Sequence, residues 1–237
     1  YSLSGCTLDI DIISPGAFDN STLLWAVLLG VVCGIYSLYY TSTGTITTQL
    51  LAATRKPYIR WLISGLTIGL MAYLFPALYG EGYDTITNVI NGHTSALTYS
   101  PIIPHTNNNS IMLTIACAGI LLLKGIGSSA TNNGGGVAGD FAPTLFAGCI
   151  IGLLYATILD ILNITALDPA QYSLIAMAGS MAGIIRAPLM SIFLVTEMVG
   201  GVEFLLPAAI VSLISYCIVM IFKHSTFYHS HSFSSGN

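Results

Sequence analysis

The chain has 237 residues, of which 54% are hydrophobic and only 7% charged, with a formal net charge of −4. Soluble domains carry about 25% charged residues, so this sequence lacks the polar side chains to cover a water-exposed surface. Six Lys and Arg make no basic stripe, which excludes a nucleic-acid partner and leaves the lipid bilayer as the surrounding medium.

In chain order, Tyr1 to Asn20 reads as a polar loop without the basic head and apolar middle of a signal peptide. The chain is therefore expected to be part of a longer protein, with residues 1–21 a connecting loop on the extracellular side. A hydrocarbon core near 30 Å takes about 20 apolar residues as helix. Thr22 to Tyr40 supplies one span, and Tyr58 to Ala77 a second that bends or ends near Pro76. Ile111 to Gly127 is a shorter third, carrying Lys124 near its end. Thr144 to Leu162, Gln171 to Ile185, Leu189 to Val199 and Phe204 to Phe222 follow. Two of these are too short to cross alone and are separated by Arg186-Ala187-Pro188. Interrupted helices are tolerated in a bilayer only where the broken backbone is buried in protein or lines a cavity, a pattern of channels and transporters. Arg55, Lys56, Arg60 and Lys223 place the loop between the first two spans, and the C-terminus, in the cytoplasm.

Between the third and fourth spans lies Gly134-Gly135-Gly136-Val137-Ala138-Gly139-Asp140-Phe141-Ala142-Pro143. Glycines permit a tight backbone course, and Pro143 suits a first helical turn, where its missing N–H is not needed. Free N–H groups and the positive end of the dipole make such a helix start a ready anion site.

Gly139-Asp140-Phe141-Ala142-Pro143 resembles the G-x-F-x-P motif of the CLC chloride channels and chloride/proton antiporters. Three more stretches agree in order and spacing: Ala178 to Leu189, ending in Arg186-Ala187-Pro188-Leu189; Phe193 to Met198; and Leu206-Pro207 followed by Tyr228. Leu29 to Gly34 and Tyr79 to Tyr83 also fit. The resemblance covers Thr22 to Tyr228, the second of the family's two inverted repeats. It implies an all-α, polytopic membrane fold, a CLC-type bundle of tilted and broken helices. Residues 22–222 would form the C-terminal half of the membrane domain, and residues 223–237 a short cytoplasmic helix or tail. It further implies that backbone N–H groups of Asp140 and Phe141 face a dehydrated chloride. Gly139, Ala142 and Pro143 complete that filter segment, and Tyr228 adds a phenolic O–H. Chloride is then ligand rather than cofactor, and no cofactor is expected. A homodimer in the plasma membrane is implied, with the N-terminal half of the same protein as the other part of the pore. The family's G-S-G-I-P and G-R-E-G-P segments do not occur here, so the residues do not choose between channel and antiporter.

Asp140 departs from the usual apolar residue. Its side chain is expected to turn away from the anion and bond the preceding loop amides, or to be neutralised by burial. Arg186 is expected to satisfy carbonyls at the helix break, Lys124 to snorkel to the headgroups, and Glu197 to make a helix-packing hydrogen bond. Tyr36, Tyr39 and Tyr40 read as interface anchors, and Gly179, Ser180, Ala182 and Gly183 as close helix packing. His224, His229 and His231 lack Cys partners and helical spacing, so no metal is expected. An enzyme is not expected either: an intramembrane hydrolase built on Ser64 needs a base in reach, and all five histidines lie in polar loops or the tail. A non-conducting scaffold or dimer-interface segment is the remaining alternative.

Overall fold

The computed structural model describes the backbone of residues 20–54, 56–94, 97, 109–136 and 139–234 and the side chains of residues 23–54, 56–94, 97, 110–136 and 139–222. Every long element among them is an α-helix: α1 (Asn20–Ala52), α2 (Pro57–Leu74), α3 (Tyr83–Ile90), α4 (Asn109–Gly134), α5 (Phe141–Ile161), α6 (Pro169–Ile184), α7 (Pro188–Val199) and α8 (Leu205–Ser234). Short 3-10 turns at Pro76–Leu78 and Val202–Phe204 join neighbours. Four stretches are long and apolar enough to cross a bilayer: Leu23–Ala52, Ser110–Gly134, Phe141–Ile161 and Val202–Phe222. The broken pair is as expected, α6 and α7 being 16 and 12 residues long.

Three helices outrun the expected spans: α8 continues to Ser234, and for α1 and α4 hydrogen bonding explains the extension. The segment after Tyr40, rich in Thr, Ser and Gly, reads as a loop, yet α1 continues to Ala52. Thr41, Thr43, Thr45, Thr47 and Thr48 each donate to a carbonyl four residues earlier, so their hydroxyls are satisfied within the helix itself. The polar end of α4 behaves alike, with Thr131 bonding Gly127 and Asn133 bonding Ser129. These two polar ends pack on one another, and the Asn133 side-chain amide donates to Thr48 Oγ1 at 2.9 Å. Tyr36 and Tyr39 join the same seam by donating to the carbonyls of Leu121 and Leu122, while Tyr40 is buried. Tyr36 and Tyr39 thereby fasten α1 to α4.

α6 is the centre of the bundle, buried from Tyr172 through Gly183 and packed against α5, α8, α1 and α7. Inside a bilayer, helix association draws on van der Waals contact rather than on water exclusion, so small residues at the crossings let backbones approach. Gly148 and Gly152 of α5 meet the α6 backbone, Gly179 and Gly183 of α6 meet α1 and α8, and Gly30 and Gly34 of α1 meet Ile214 and Ile218 of α8. The expectation of close packing at Gly179, Ser180, Ala182 and Gly183 holds.

The break between α6 and α7 is sharper than the proline alone requires. Arg186 sits at φ 64°, the left-handed region, which costs a non-glycine residue about 1 kcal/mol. Its side chain is exposed and makes no hydrogen bond or ion pair among the described residues, so the expected carbonyl contact is absent there. Arg186→Gly is expected to hold or raise the unfolding temperature, by up to about 1 kcal/mol of stability. Arg186→Val should lower it, since β-branched residues fit this region worst. Thermal unfolding in detergent separates the two, and a lower midpoint for the glycine variant would assign the arginine a stabilising contact.

Candidate functional site

The glycine turn converts the end of α4 into the start of α5. Gly135 takes φ 103°, a conformation that glycine enters at little steric cost. Asp140 is the N-cap residue of α5 by position but makes no side-chain cap. The first intrahelical bond runs from the Thr144 N–H to the Asp140 carbonyl at 3.1 Å, and Pro143 has no N–H to place. The N–H groups of Phe141 and Ala142 precede that bond and have no partner among the described residues, which leaves them as donors at the positive end of the dipole. The turn is anchored on its α6 side as well: Ser180 Oγ donates to the Thr144 carbonyl at 2.9 Å, and Thr144 Oγ1 donates to the Phe141 carbonyl at 2.7 Å.

The Asp140 carboxylate looks back at α4. Its Oδ1 accepts from Ser128 Oγ at 3.0 Å and from Asn132 Nδ2 at 3.3 Å. It is turned away from the helix start, but its partners are side chains of α4 rather than loop amides. Asp140 is also exposed, so burial is not what accommodates its charge. Two donors one helical turn apart on α4 hold it instead, as i and i+4 residues share a face.

Gly139, Phe141, Ala142 and Pro143 line a cavity of about 490 Å³ together with Lys124, Gly127, Ser128 and Thr131 of α4. Glu81 and Tyr83 close another side, and Gly82 between them, at φ 89°, packs against the Phe146 ring. A Cβ at Gly82 would sit 3.0 Å from Phe146 Cγ, so both the backbone angle and the contact require glycine.

Lys124 overturns its sequence reading. It is only 6% exposed, with Nζ 4.2 Å from the centroid of the Phe146 ring. The snorkelling expectation assumed a helix ending at Gly127; with α4 running to Gly134, ten further residues place the helix end about 15 Å away, beyond the reach of a lysine stem. Among the described residues it has no hydrogen bond and no ion pair. Burying an ammonium costs several kcal/mol, and an aromatic face returns about 2 kcal/mol when desolvated, so Phe146 alone does not balance it. The sequence shows a lone lysine in an apolar run, but its distance from the helix end is visible only in the longer α4.

The other singled-out residues lie elsewhere. Glu197 is exposed on α7 and shows no side-chain bond among the described residues, so the packing role expected for it is not found there. Ser64 is buried, with Oγ unpaired and facing Gly134; no base accompanies it among the described residues. Tyr228 falls within the backbone of α8, but its side chain lies outside the described residues, as do those of His224, His229 and His231. A larger cavity, about 650 Å³, includes Asp160 and Asp168 from the far end of α5 and the start of α6 and shares no residue with the glycine turn.

A family model described as voltage gated chloride channel matches residues 3–220, a range that includes the glycine turn and stops short of Tyr228. Among curated proteins, "Putative chloride channel protein ClcB-like" of Ralstonia nicotianae is 32% identical over 168 residues, covering 70% of this chain and 35% of that protein. "Voltage-gated ClC-type chloride channel ClcB" of Escherichia coli is 28% identical over 221 residues, covering 91% of this chain and 47% of that protein. The chain thus spans a half or less of the length of these relatives.

Proposed function

The chain belongs to the voltage gated chloride channel family, and from that membership we propose that the full-length protein moves chloride or a related small anion across the membrane. The observation that carries this reading is the start of α5. Its N–H donors at Phe141 and Ala142 are left without a side-chain cap, and the same residues line a cavity. Neutral N–H donors stabilise a dehydrated anion without a full opposing charge, so the ion can leave again, which conduction requires.

In this reading Asp140 and Phe141 offer backbone N–H groups to chloride, and Gly139, Ala142 and Pro143 set the course of the filter segment. Tyr228 supplies a phenolic O–H from the cytoplasmic side. The N-terminal half of the same protein provides the rest of the pore and the gate, and residues 1–21 and 223–237 act as the connecting loop and the cytoplasmic end. The site is a conduction path, with chloride as its ligand and no catalytic group or cofactor. The protein is proposed to sit in the plasma membrane as a homodimer. The apolar outer faces of α7 and α8, with Leu189, Phe193, Leu206 and Leu213 exposed, support an interface there. Those same faces favour the second reading, a non-conducting scaffold or dimer-interface segment.

Chloride flux into liposomes containing the full-length protein tests the proposal. Uptake well above protein-free liposomes is expected. A folded full-length protein giving none would overturn transport and leave the scaffold reading. Proton movement coupled to chloride would identify an antiporter, and chloride movement without it a channel.

A further inference from the structure

We propose that Lys124 makes the cavity at the start of α5 an anion-holding subsite, where a small monovalent anion such as chloride pairs with the buried ammonium. The proposal rests on the anion-transport reading and deepens it by adding a charged residue from α4 to a path otherwise built of neutral donors.

Three observations converge. Lys124 is 6% exposed and makes no hydrogen bond or ion pair among the described residues, so no carboxylate there is seated on its ammonium. Its ammonium rests 4.2 Å from the Phe146 ring centroid, a contact that keeps the group within the bundle and leaves its N–H donors unfilled. The cavity it lines is also lined by Phe141 and Ala142, the residues whose N–H groups begin α5. Positive charge from the side chain and from the helix start therefore meets in one space. In a cleft with low-dielectric walls, positive charge gathered at one place draws the opposite ion.

The geometry also explains how such a site can release its ion. At about 490 Å³ the cavity holds an anion with several waters, each occupying about 30 Å³, so the ion stays partly hydrated. Glu81 lies on the same cavity wall and is exposed; its carboxylate opposes an anion and limits the affinity that Lys124 gives. The competing arrangement is a carboxylate from the N-terminal half paired with Lys124, which would leave no charge for an anion.

The test uses the full-length protein in detergent. Chloride affinity is measured by calorimetric titration, and bromide is located by anomalous diffraction. A bromide peak beside Lys124 is expected in the wild type. Lys124→Met should lose that peak and weaken chloride affinity about tenfold, while Lys124→Arg keeps both and Glu81→Gln tightens binding several-fold. A folded Lys124→Met protein with unchanged affinity and unchanged peaks would overturn the subsite, as would a carboxylate of the other half seated on the ammonium. If Lys124→Met does not fold, the Glu81→Gln affinity and the wild-type bromide peak decide: an unmoved affinity with no peak beside Lys124 overturns it. A wild-type protein that neither binds nor moves chloride defeats the transport reading itself. Transport that persists unaltered in Lys124→Met defeats only the subsite.

Discussion

Gly152→Val is expected to prevent the membrane domain from assembling. A Cβ at this position would lie 2.5 Å from the Ser173 backbone nitrogen and closer still to Ser173 Cα and the Tyr172 carbonyl oxygen. One turn away, a Cβ at Gly148 would lie 2.5 Å from Met177 Cα and 2.7 Å from the Ala176 carbonyl oxygen. These obstacles are mostly backbone, which has no rotamer to escape into, so α5 and α6 must separate. Extra methylenes in a packed core that can shift its side chains cost about 1–3 kcal/mol. Here the cost should exceed about 3 kcal/mol, a large fraction of the 5–15 kcal/mol that stabilises an ordinary domain. Gly152→Ala should show a smaller loss in the same direction. The contrast is α2, where a Cβ at Gly65 or Gly69 meets nothing within 4 Å among the described residues. Alanine at either is expected to be neutral or stabilising by about 0.5–1 kcal/mol, through reduced helix entropy loss. Detergent thermal unfolding and the monodispersity of the purified full-length protein read the difference. Equal behaviour of Gly152→Ala and Gly65→Ala would show that the α5–α6 crossing is not the tight contact described.

If the full-length protein conducts chloride as proposed, Asp140→Ala is expected to reduce that transport by about ten- to a hundredfold, while Asp140→Asn stays near wild type. Alanine removes both bonds from α4, those of Ser128 and Asn132, and hydrogen bonds to a charged acceptor contribute about 1.5–3 kcal/mol each. The turn preceding Phe141 then loses its fixed relation to α4, and displaced donors stabilise a dehydrated ion less well. Asparagine keeps a side-chain oxygen for Ser128 and removes only the charge. The pair of variants therefore separates holding the turn from acting through charge. If Asp140→Asn alters anion selectivity as strongly as Asp140→Ala does, the carboxylate charge itself participates. Ser128→Ala with Asn132→Ala should reproduce the alanine phenotype without altering residues 139–143. Liposome flux with chloride, bromide and nitrate provides the measurement.

The order of the long helices and the broken pair α6–α7 were legible in the sequence, because a bilayer forces apolar runs of a set length and punishes unsatisfied backbone, whereas the eight-residue α3 has no such run and was not. Pro76 and Pro188 marked a real end and a real start for the same reason. Helix length was less legible. Thr41 to Gln49 and Ser128 to Gly134 carry loop composition, and only the mutual packing of α1 and α4 shows that their polar side chains are satisfied as helix. Lys124 depends on the same length: a helix ending at Gly127 gives a lysine an exit that the longer α4 denies it.

The candidate site divides in the same way. Gly139 to Pro143 announce a helix start with free donors, because glycine, proline and the backbone act locally and need no partner from elsewhere in the chain. Ser128 and Asn132 holding Asp140, Ser180 holding Thr144, and Gly82 seated on Phe146 join residues from 8 to 64 positions apart, and no local pattern encodes those meetings. The sequence alone determined that this protein lives in a membrane, which family its motifs resemble, and where a helix begins with unfilled N–H groups. Only the tertiary structure decided which side chains surround that helix start. Burial and charge pairing are properties of packed neighbours, and the buried Lys124 acquires its meaning from the Phe146 ring it rests on and from the cavity it lines with Glu81.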